Sequence, residues 1–169
     1  GCSVSAMVLT IVGLGVDAIG VNCSLGPDQL APIVEEIGKW SDIPVIVKAN
    51  AGLPDPVTNT YNVLPDEFAD TCKEMVKYGA KVLGGCCGTT PDFIASLKNN
   101  LPVRKKITPK RATRVSSGTK TVEFGHHVVV CGERLNPTGK KKLKLALKEE
   151  RYDELVVEAI KQDQAGAHV

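Results

Sequence analysis

The chain has 169 residues, 43% of them hydrophobic and 24% charged, so it is long enough to bury a substantial core. Its 21 basic and 19 acidic residues give a formal net charge of +2, and the one basic run, Pro102 to Arg114, contains no aromatic residue that could stack on bases. This composition argues against nucleic-acid binding. No apolar run is long enough to cross a bilayer, which argues against a membrane protein.

Alternation of short apolar runs with helical patterns predicts an α/β fold. Residues Gly1 to Leu14 indicate a helix that leads through Gly15 into the first apolar run. The three apolar runs are Val16 to Ser24, Ile43 to Gly52 and Ala80 to Gly88. Helical patterns follow them at Gly26 to Trp40, Pro65 to Gly79 and Thr90 to Leu101. Runs that are apolar throughout suit buried parallel strands, and the alternation predicts right-handed crossover connections.

Both ends of the sequence resemble interrupted repeats. Residues Ile160 to Val169 repeat the helix, glycine and strand junction of Val76 to Gly85 and stop as the strand would begin. Three βα units cannot close a barrel. We therefore expect a fragment of a longer protein.

Three cysteines and an asparagine stand at the predicted carboxyl ends of the strands. Cys23 ends the first run, Asn50 ends the second, and Cys86 and Cys87 end the third. In parallel α/β folds this edge of the sheet carries the ligand site. Neighbouring cysteines can face one ion only where the strand has ended, and the glycines in "GGCCG", residues 84 to 88, supply the backbone freedom.

Clustered thiolates favour a soft metal such as zinc. Three protein ligands leave a fourth position for substrate, which is typical of a catalytic zinc site, and a thiol bound there would lose its proton and attack an activated methyl group. Two other interpretations of Cys86 and Cys87 remain open, namely small core residues and a vicinal disulfide. Cys72 has an apolar helical position typical of core, and Cys2 and Cys131 have no evident partner.

Several motifs resemble those of a known enzyme family. The segments "GVNCSLGP" (Gly20 to Pro27), "ANAGLPDP" (Ala49 to Pro56) and "GGCCGTTPDF" (Gly84 to Phe93) are similar to the homocysteine-binding barrel of zinc-dependent homocysteine methyltransferases. The segment Val128 to Leu147 resembles the start of a pterin-binding methyltetrahydrofolate domain. This order of barrels is that of the cobalamin-dependent methionine synthases.

The resemblance implies roles for particular residues. Cys23, Cys86 and Cys87 would bind the zinc that binds homocysteine, and Asn50 would approach that zinc when substrate is absent. Asn22 is a candidate substrate-binding residue. Ala49 departs from the family, in which proline usually precedes the asparagine. In the second segment, a first barrel strand that includes "GERLN" would carry the candidate pterin-binding residues, which are Glu133 and Asn136.

The resemblance also implies an architecture. Residues 1–101 would be the last three βα units of a TIM (β/α)8 barrel, residues 102–124 a basic linker, and residues 125–169 the first segment of a second TIM barrel. The implied cofactors are zinc, methylcobalamin and 5-methyltetrahydrofolate, and the implied partners are homocysteine and the cobalamin-binding and folate-binding modules. We expect little turnover from the chain alone.

Two other functions fit the same residues. One is a different thiol or homocysteine S-methyltransferase that uses betaine, S-methylmethionine or a corrinoid donor, and the other is a non-catalytic zinc or redox module. Six cysteines without a recognisable signal peptide favour the cytoplasm, where clustered cysteines are more often metal ligands or catalytic groups than disulfides.

Overall fold

The computed structural model describes residues 1–102, 108–109 and 111–169. The chain divides into two compact units, and we describe each by itself. Unit 1 comprises residues 1–111 and 116–121, and unit 2 comprises residues 112–115 and 122–169. Part of the predicted linker, at residues 103–107 and 110, lies outside the described residues.

Unit 1 alternates helices and strands, as the sequence predicts. Its elements are α1 (Val4–Gly13), β1 (Ile19–Asn22), α2 (Pro27–Trp40), β2 (Val45–Ala49), α3 (Pro65–Lys77), β3 (Ala80–Gly85) and α4 (Pro91–Asn100). The three strands form one parallel sheet in the order β1, β2, β3. The predicted α/β class with a parallel sheet is therefore confirmed.

Each helix that follows a strand begins in the same way. Pro27, Pro65 and Pro91 occupy the first turns of α2, α3 and α4, where a missing N–H costs nothing and the fixed φ favours the helix. Acidic residues follow each proline in the first turn and interact favourably with the positive end of the helix dipole. These local signals fix where each loop at the carboxyl edge of the sheet ends.

The core lies between one face of the sheet and the helices. Strand residues Val45, Val47 and Ala49 are almost fully buried there. Phe68 of α3 is completely buried and meets Phe93 of α4 edge to face, with ring centroids 5.3 Å apart. This packing holds the two helices that flank β3 and so supports the loop after that strand.

The opposite face of the sheet is open. By alternation and register it carries two rows across the three strands. The rows are Gly20, Ile46 and Val82, then Asn22, Lys48 and Gly84. Val82 is 51% exposed, and Gly20, Asn22 and Lys48 are also exposed. The sequence predicted strands buried on both faces, so this face differs from that expectation because no described element packs against it.

A short hairpin and two helices complete the described chain. The hairpin strands are β4 (Arg114–Ser116) and β5 (Thr121–Glu123), and they lie within the predicted linker. In unit 2, the guanidinium of Arg114 donates to the carboxylate of Glu123 at 2.8 Å, with both side chains largely buried. The helices are α5 (Lys141–Lys148) and α6 (Tyr152–Gln164).

The strand implied at "GERLN", Gly132 to Asn136, does not form. A turn replaces it, in which the Asn136 N–H donates to the Glu133 carbonyl at 3.0 Å. The nearby backbone pairs only at Val130 and Gly132, with His168 and Val169, within the part of the chain described. A strand persists when a neighbour satisfies its backbone along its length, and two paired positions do not provide that. Among the described residues, no helix combines the length and apolar character needed to span a bilayer.

Candidate metal centre

The carboxyl edge of the parallel sheet brings the predicted site residues together. Cys23 is the first residue after β1, Asn50 the first after β2, and Cys86 the first after β3. Cys87 follows directly. Because parallel strands end at a common edge, residues far apart in sequence become neighbours there.

The three sulfur atoms form a compact cluster. The Sγ atoms of Cys23 and Cys87 are 3.6 Å apart, those of Cys86 and Cys87 are 3.9 Å apart, and all three lie within 4.8 Å of one another. Ligands of one tetrahedral zinc, at about 2.3 Å from the metal, lie about 3.8 Å from each other. The donor set and its spacing therefore fit zinc. All six cysteines are free thiols, so no vicinal disulfide is present.

Hydrogen bonds between backbone groups hold the three loops in place. The N–H of Cys23 donates to the Lys48 carbonyl at 2.9 Å, and the N–H of Cys86 donates to the Ala49 carbonyl at 2.7 Å. The Ala51 N–H donates to the Cys87 carbonyl at 2.9 Å. The loop after β2 thus connects the loops that carry the cysteines.

Asn50 is a buried polar residue, 3% exposed, beside the cluster. Its Oδ1 atom accepts a hydrogen bond from the Cys87 N–H at 3.1 Å. A buried amide without a partner would be costly, so this bond fixes both the side chain and the backbone of the neighbouring loop. The predicted fourth ligand is therefore close to the sulfurs, and in this structure its oxygen orients the Cys87 loop.

The backbone at Cys23 has an unusual conformation. Cys23 and Ser24 have φ angles of 61° and 65°, in the left-handed region that residues other than glycine rarely adopt. The Leu25 N–H donates to the Cys23 carbonyl at 2.7 Å, and the Asn50 N–H donates to the Leu25 carbonyl at 3.0 Å. These bonds compensate for the strain and turn the Cys23 side chain toward Cys87. Strained backbone of this kind concentrates at functional sites.

Two of the three glycines around the cysteine pair meet specific requirements. Gly88 has a φ of +77°, and a Cβ atom there would lie 2.3 Å from Cγ of Tyr61. A Cβ atom on Gly85 would lie 2.2 Å from Oγ1 of Thr89, whose hydroxyl donates to the Cys86 carbonyl at 2.7 Å. Gly84 has no comparable constraint, so the predicted freedom is needed at Gly85 and Gly88.

The thiols of the cluster are electrostatically unequal. The pKa of Cys23 is lowered, chiefly because the Ser24 backbone N–H bonds to its sulfur and secondarily because Cys87 and Cys86 do so. The pKa of Cys87 is raised, first by its hydrogen bond with Cys23 and then by Cys86. Of these two thiols, Cys23 is therefore the one that loses its proton more readily.

Tyr61 belongs to this site and was not predicted from the sequence. Its ring packs on Gly88, and its pKa is raised by desolvation first and then by the nearby Cys87. The available signal was a lone aromatic residue in the polar loop between β2 and α3. Tyr61 therefore packs beside the cluster, on the side of Cys87.

The remaining predicted residues are not part of the sulfur cluster. Asn22 ends β1 on the open face of the sheet. In unit 2, the Glu133 carboxylate pairs with the Lys140 ammonium group at 2.8 Å, which lowers the pKa of Glu133. Asn136 Oδ1 accepts from the Thr138 N–H at 3.0 Å. Both side chains thus make local contacts, and Cys72 is buried in the core as predicted.

Residues 1–101 match the family model described as homocysteine S-methyltransferase. The chain belongs to this family. The family is one of methyltransferases, in agreement with the enzyme class inferred from the sequence.

Curated relatives extend the similarity over the whole chain. Methionine synthase from Mycobacterium leprae (strain TN) is 33% identical over 181 aligned residues, and methionine synthase from Mycobacterium tuberculosis (strain ATCC 25618 / H37Rv) is 34% identical over 178. Both alignments cover 100% of this chain, which spans only 15% of either relative.

Solved structures of the homocysteine methyltransferase MmuM from Escherichia coli are also similar. The metallated form is 27% identical, with a TM-score of 0.47, over 59% of this chain and 30% of that chain. The oxidised form gives 26% identity and a TM-score of 0.48 over the same shares. At a TM-score below 0.5, the overlap does not by itself establish a shared fold.

Proposed function

We propose that this chain is a segment of a methionine synthase and carries its homocysteine-activating metal site. The observation that carries the proposal is the cluster of three thiols on two strand ends, Cys23 after β1 with Cys86 and Cys87 after β3. Membership of the homocysteine S-methyltransferase family and the two methionine synthase relatives support the choice of substrate and product.

The proposal includes an architecture. Residues 1–101 form the last three βα units of a homocysteine-binding TIM barrel, residues 102–124 a linker, and residues 125–169 the start of a pterin-binding domain. The range matched by the family model and the parallel sheet with its open face support the first part. A sheet face without packed helices is what the interior of a closed barrel would present.

Cys23, Cys86 and Cys87 would hold zinc, and their spacing and soft sulfur donors suit that metal. When bound, zinc supplies the Lewis acidity that lowers the pKa of a substrate thiol, so that homocysteine reacts as a thiolate near neutral pH. Three protein ligands leave one position of a four-coordinate ion for that thiol. Asn50, whose Oδ1 bonds to the Cys87 N–H, would be the ligand there in its absence.

The residues of this chain prepare the cysteines for that role. The left-handed turn at Cys23 and Ser24 aims one sulfur, and the hydrogen bond from the Cys87 N–H to Asn50 fixes the backbone that carries another. Tyr61 covers the Cys87 side of the cluster. Donors held by their own hydrogen bonds lose little entropy when an ion binds.

In the transfer itself, a lone pair on the homocysteine sulfur forms the new S–CH3 bond while the bond from that methyl group to its donor breaks, and the donor keeps the electron pair. The proposed donor is methylcobalamin, recharged from 5-methyltetrahydrofolate, so that the products are methionine and tetrahydrofolate. Those groups, with their cobalamin-binding and folate-binding modules, bind mainly to parts of the enzyme beyond these 169 residues. Free thiols at the site suit the cytoplasm.

Zinc X-ray absorption on the metal-loaded chain, with and without L-homocysteine, tests the site. We expect a shell of three sulfurs and one oxygen or nitrogen to become four sulfurs on addition of L-homocysteine. L-Methionine is the matched control, because its sulfur is already methylated and should leave the shell unchanged. A four-sulfur shell that does not respond to homocysteine would contradict the proposal and favour a closed, non-catalytic zinc site.

A further inference from the structure

The open face of the sheet carries one charged side chain just below the metal centre. Lys48 is the only charged residue among the six that form the two rows of this face, and it is exposed. Its row partners are Asn22 on β1 and Gly84 on β3. Lys48 itself lies on β2, which leads directly into Asn50, and β3 leads directly into Cys86.

Gly84 leaves room for the lysine side chain beside β3. A Cβ atom built on Gly84 would lie 3.6 Å from Cγ of Lys48, so the aliphatic part of the side chain runs beside this glycine. Ile46 and Val82, one row below, provide apolar surface on the same face. An amphipathic lysine stem is suited to such a surface, with its ammonium group directed to whatever occupies the face.

The Lys48 ammonium group has no carboxylate partner among the described residues. Lys39, Lys73 and Lys77, by contrast, each pair with an acidic residue on their own helix. A cation on a partly apolar face beside a metal centre is therefore available to an external anion.

The distances suit an amino-acid thiol. Lys48 precedes Asn50 by two residues and its partner Gly84 precedes Cys86 by two, so at about 3.3 Å per residue the lysine backbone lies roughly 7 Å from those two positions along the strands. On the other side, its carbonyl bonds directly to the N–H of Cys23 at 2.9 Å. The four bonds from the sulfur of homocysteine to its carboxylate carbon span roughly 5 Å, at about 1.5 Å per carbon–carbon bond. A thiol held at the cluster thus places its carboxylate within the reach of a lysine side chain.

We propose that the Lys48 ammonium group binds the α-carboxylate of the amino acid whose thiol lies at the cysteine cluster. This inference rests on the proposed function and adds the residue that selects an amino-acid thiol over a simple one. A charge-assisted hydrogen bond to the carboxylate supplies the selectivity. The backbone carbonyl of Lys48 bonds to the Cys23 N–H independently of the side chain, so replacement of the side chain leaves that bond in place.

Calorimetric titration of the zinc-loaded chain with three thiols tests the inference. The probes are L-homocysteine, 4-mercaptobutyrate, which lacks the amine, and 3-mercaptopropylamine, which lacks the carboxylate. We expect Lys48→Met to raise the dissociation constants of the first two about 10-fold, the weakening typical of the loss of one charge-assisted hydrogen bond, and to leave the third unchanged. Lys48→Arg should restore most of the affinity.

Lys81→Met is the matched control. Lys81 lies on β3 beside a cavity lined by Val76, Leu83 and Leu101 and should affect none of the three thiols. Equal binding by Lys48→Met and the unaltered chain would overturn the inference and leave the proposed function standing, as would an equal loss for all three thiols at unchanged zinc content. Failure of the unaltered chain to bind any thiol would overturn the proposed function itself.

Discussion

Replacement of Gly88 by alanine should destabilise unit 1 far more than the same change at another glycine of similar φ. At Gly88 the new Cβ would lie 2.3 Å from Cγ and 2.5 Å from Cδ2 of Tyr61, and φ is +77°. The left-handed backbone costs an alanine about 1–2 kcal/mol, and forcing a methyl group into occupied space costs about 1–3 kcal/mol more. The expected loss in the free energy of unfolding is therefore about 2–5 kcal/mol.

Gly15→Ala separates the two contributions. Gly15 has a φ of +80° and nothing within 4 Å of the added atom, so only the backbone term of about 1–2 kcal/mol applies. The lower entropy of the unfolded chain is common to both alanine variants and cancels in the comparison. The difference between the two variants measures the contact with Tyr61.

Urea unfolding of the metal-free protein, followed by the fluorescence of Trp40, measures both losses. Trp40 is the only tryptophan of the chain and lies in α2 of unit 1. Because the Cβ of Tyr61 would itself lie 2.8 Å from the new methyl group, the background must remove the whole side chain: in Tyr61→Gly, Gly88→Ala should cost no more than Gly15→Ala does. Equal losses for the two glycines in the unaltered background, or a difference that survives removal of the Tyr61 side chain, would refute this account of the loop.

Three further predictions concern the thiols and one turn. Cys87→Ser should weaken zinc binding by about two to three orders of magnitude, one ligand's share of the roughly 10–16 kcal/mol of a four-ligand site. Competition with a chromogenic chelator measures the zinc affinity, which Cys131→Ser should leave unchanged. Burial raises the pKa of Cys72 to about 12, so mass spectrometry should find it unalkylated at pH 8 in native protein, while exposed Cys131 reacts. Asp55 accepts hydrogen bonds from the N–H groups of Thr58 and Val57, which lower the pKa of its carboxyl from the ordinary aspartate value. Because the folded pKa of Asp55 is lowered, its contribution to stability is fully present above the ordinary aspartate pKa of about 3.9 and is lost as pH falls from there through the folded pKa. A carboxyl NMR titration of Asp55 with a midpoint at or above that ordinary value would contradict this.

Much of unit 1 could be predicted because its signals are local. Proline and acidic residues mark the helix starts, and continuous apolar runs mark the strands. The meeting of Cys23, Asn50 and Cys86 followed from one topological rule, that parallel strands end at a common edge. Three residues distant in sequence could therefore be grouped without knowledge of their contacts.

Other features depend on contacts that no local pattern encodes. The left-handed conformation of Cys23 and Ser24 results from bonds to Lys48 and Leu25, and nothing in the residue types requires it. Tyr61 joins the site through a loop whose path is set by packing on Gly88. The strand implied at Gly132 to Asn136 also depends on contacts. It does not form because no neighbouring strand pairs with it in the described chain.

The register of β2 and β3 has a consequence for changes in chain length. Val45 lies opposite Ala80, and the next residue, Ile46, lies opposite Val82, so Lys81 is one residue more than regular pairing requires. Removal of Lys81 would give an unbroken ladder in which Gly85 still lies opposite Ala49, and the cysteines beyond it would keep their places. An added residue between Val82 and Gly85 would shift that pairing by one position. The side chain of every later residue in the strand would then point to the opposite face of the sheet. Across related sequences, β3 should therefore vary by loss of a residue near position 81 and keep a constant length from there to the cysteine pair.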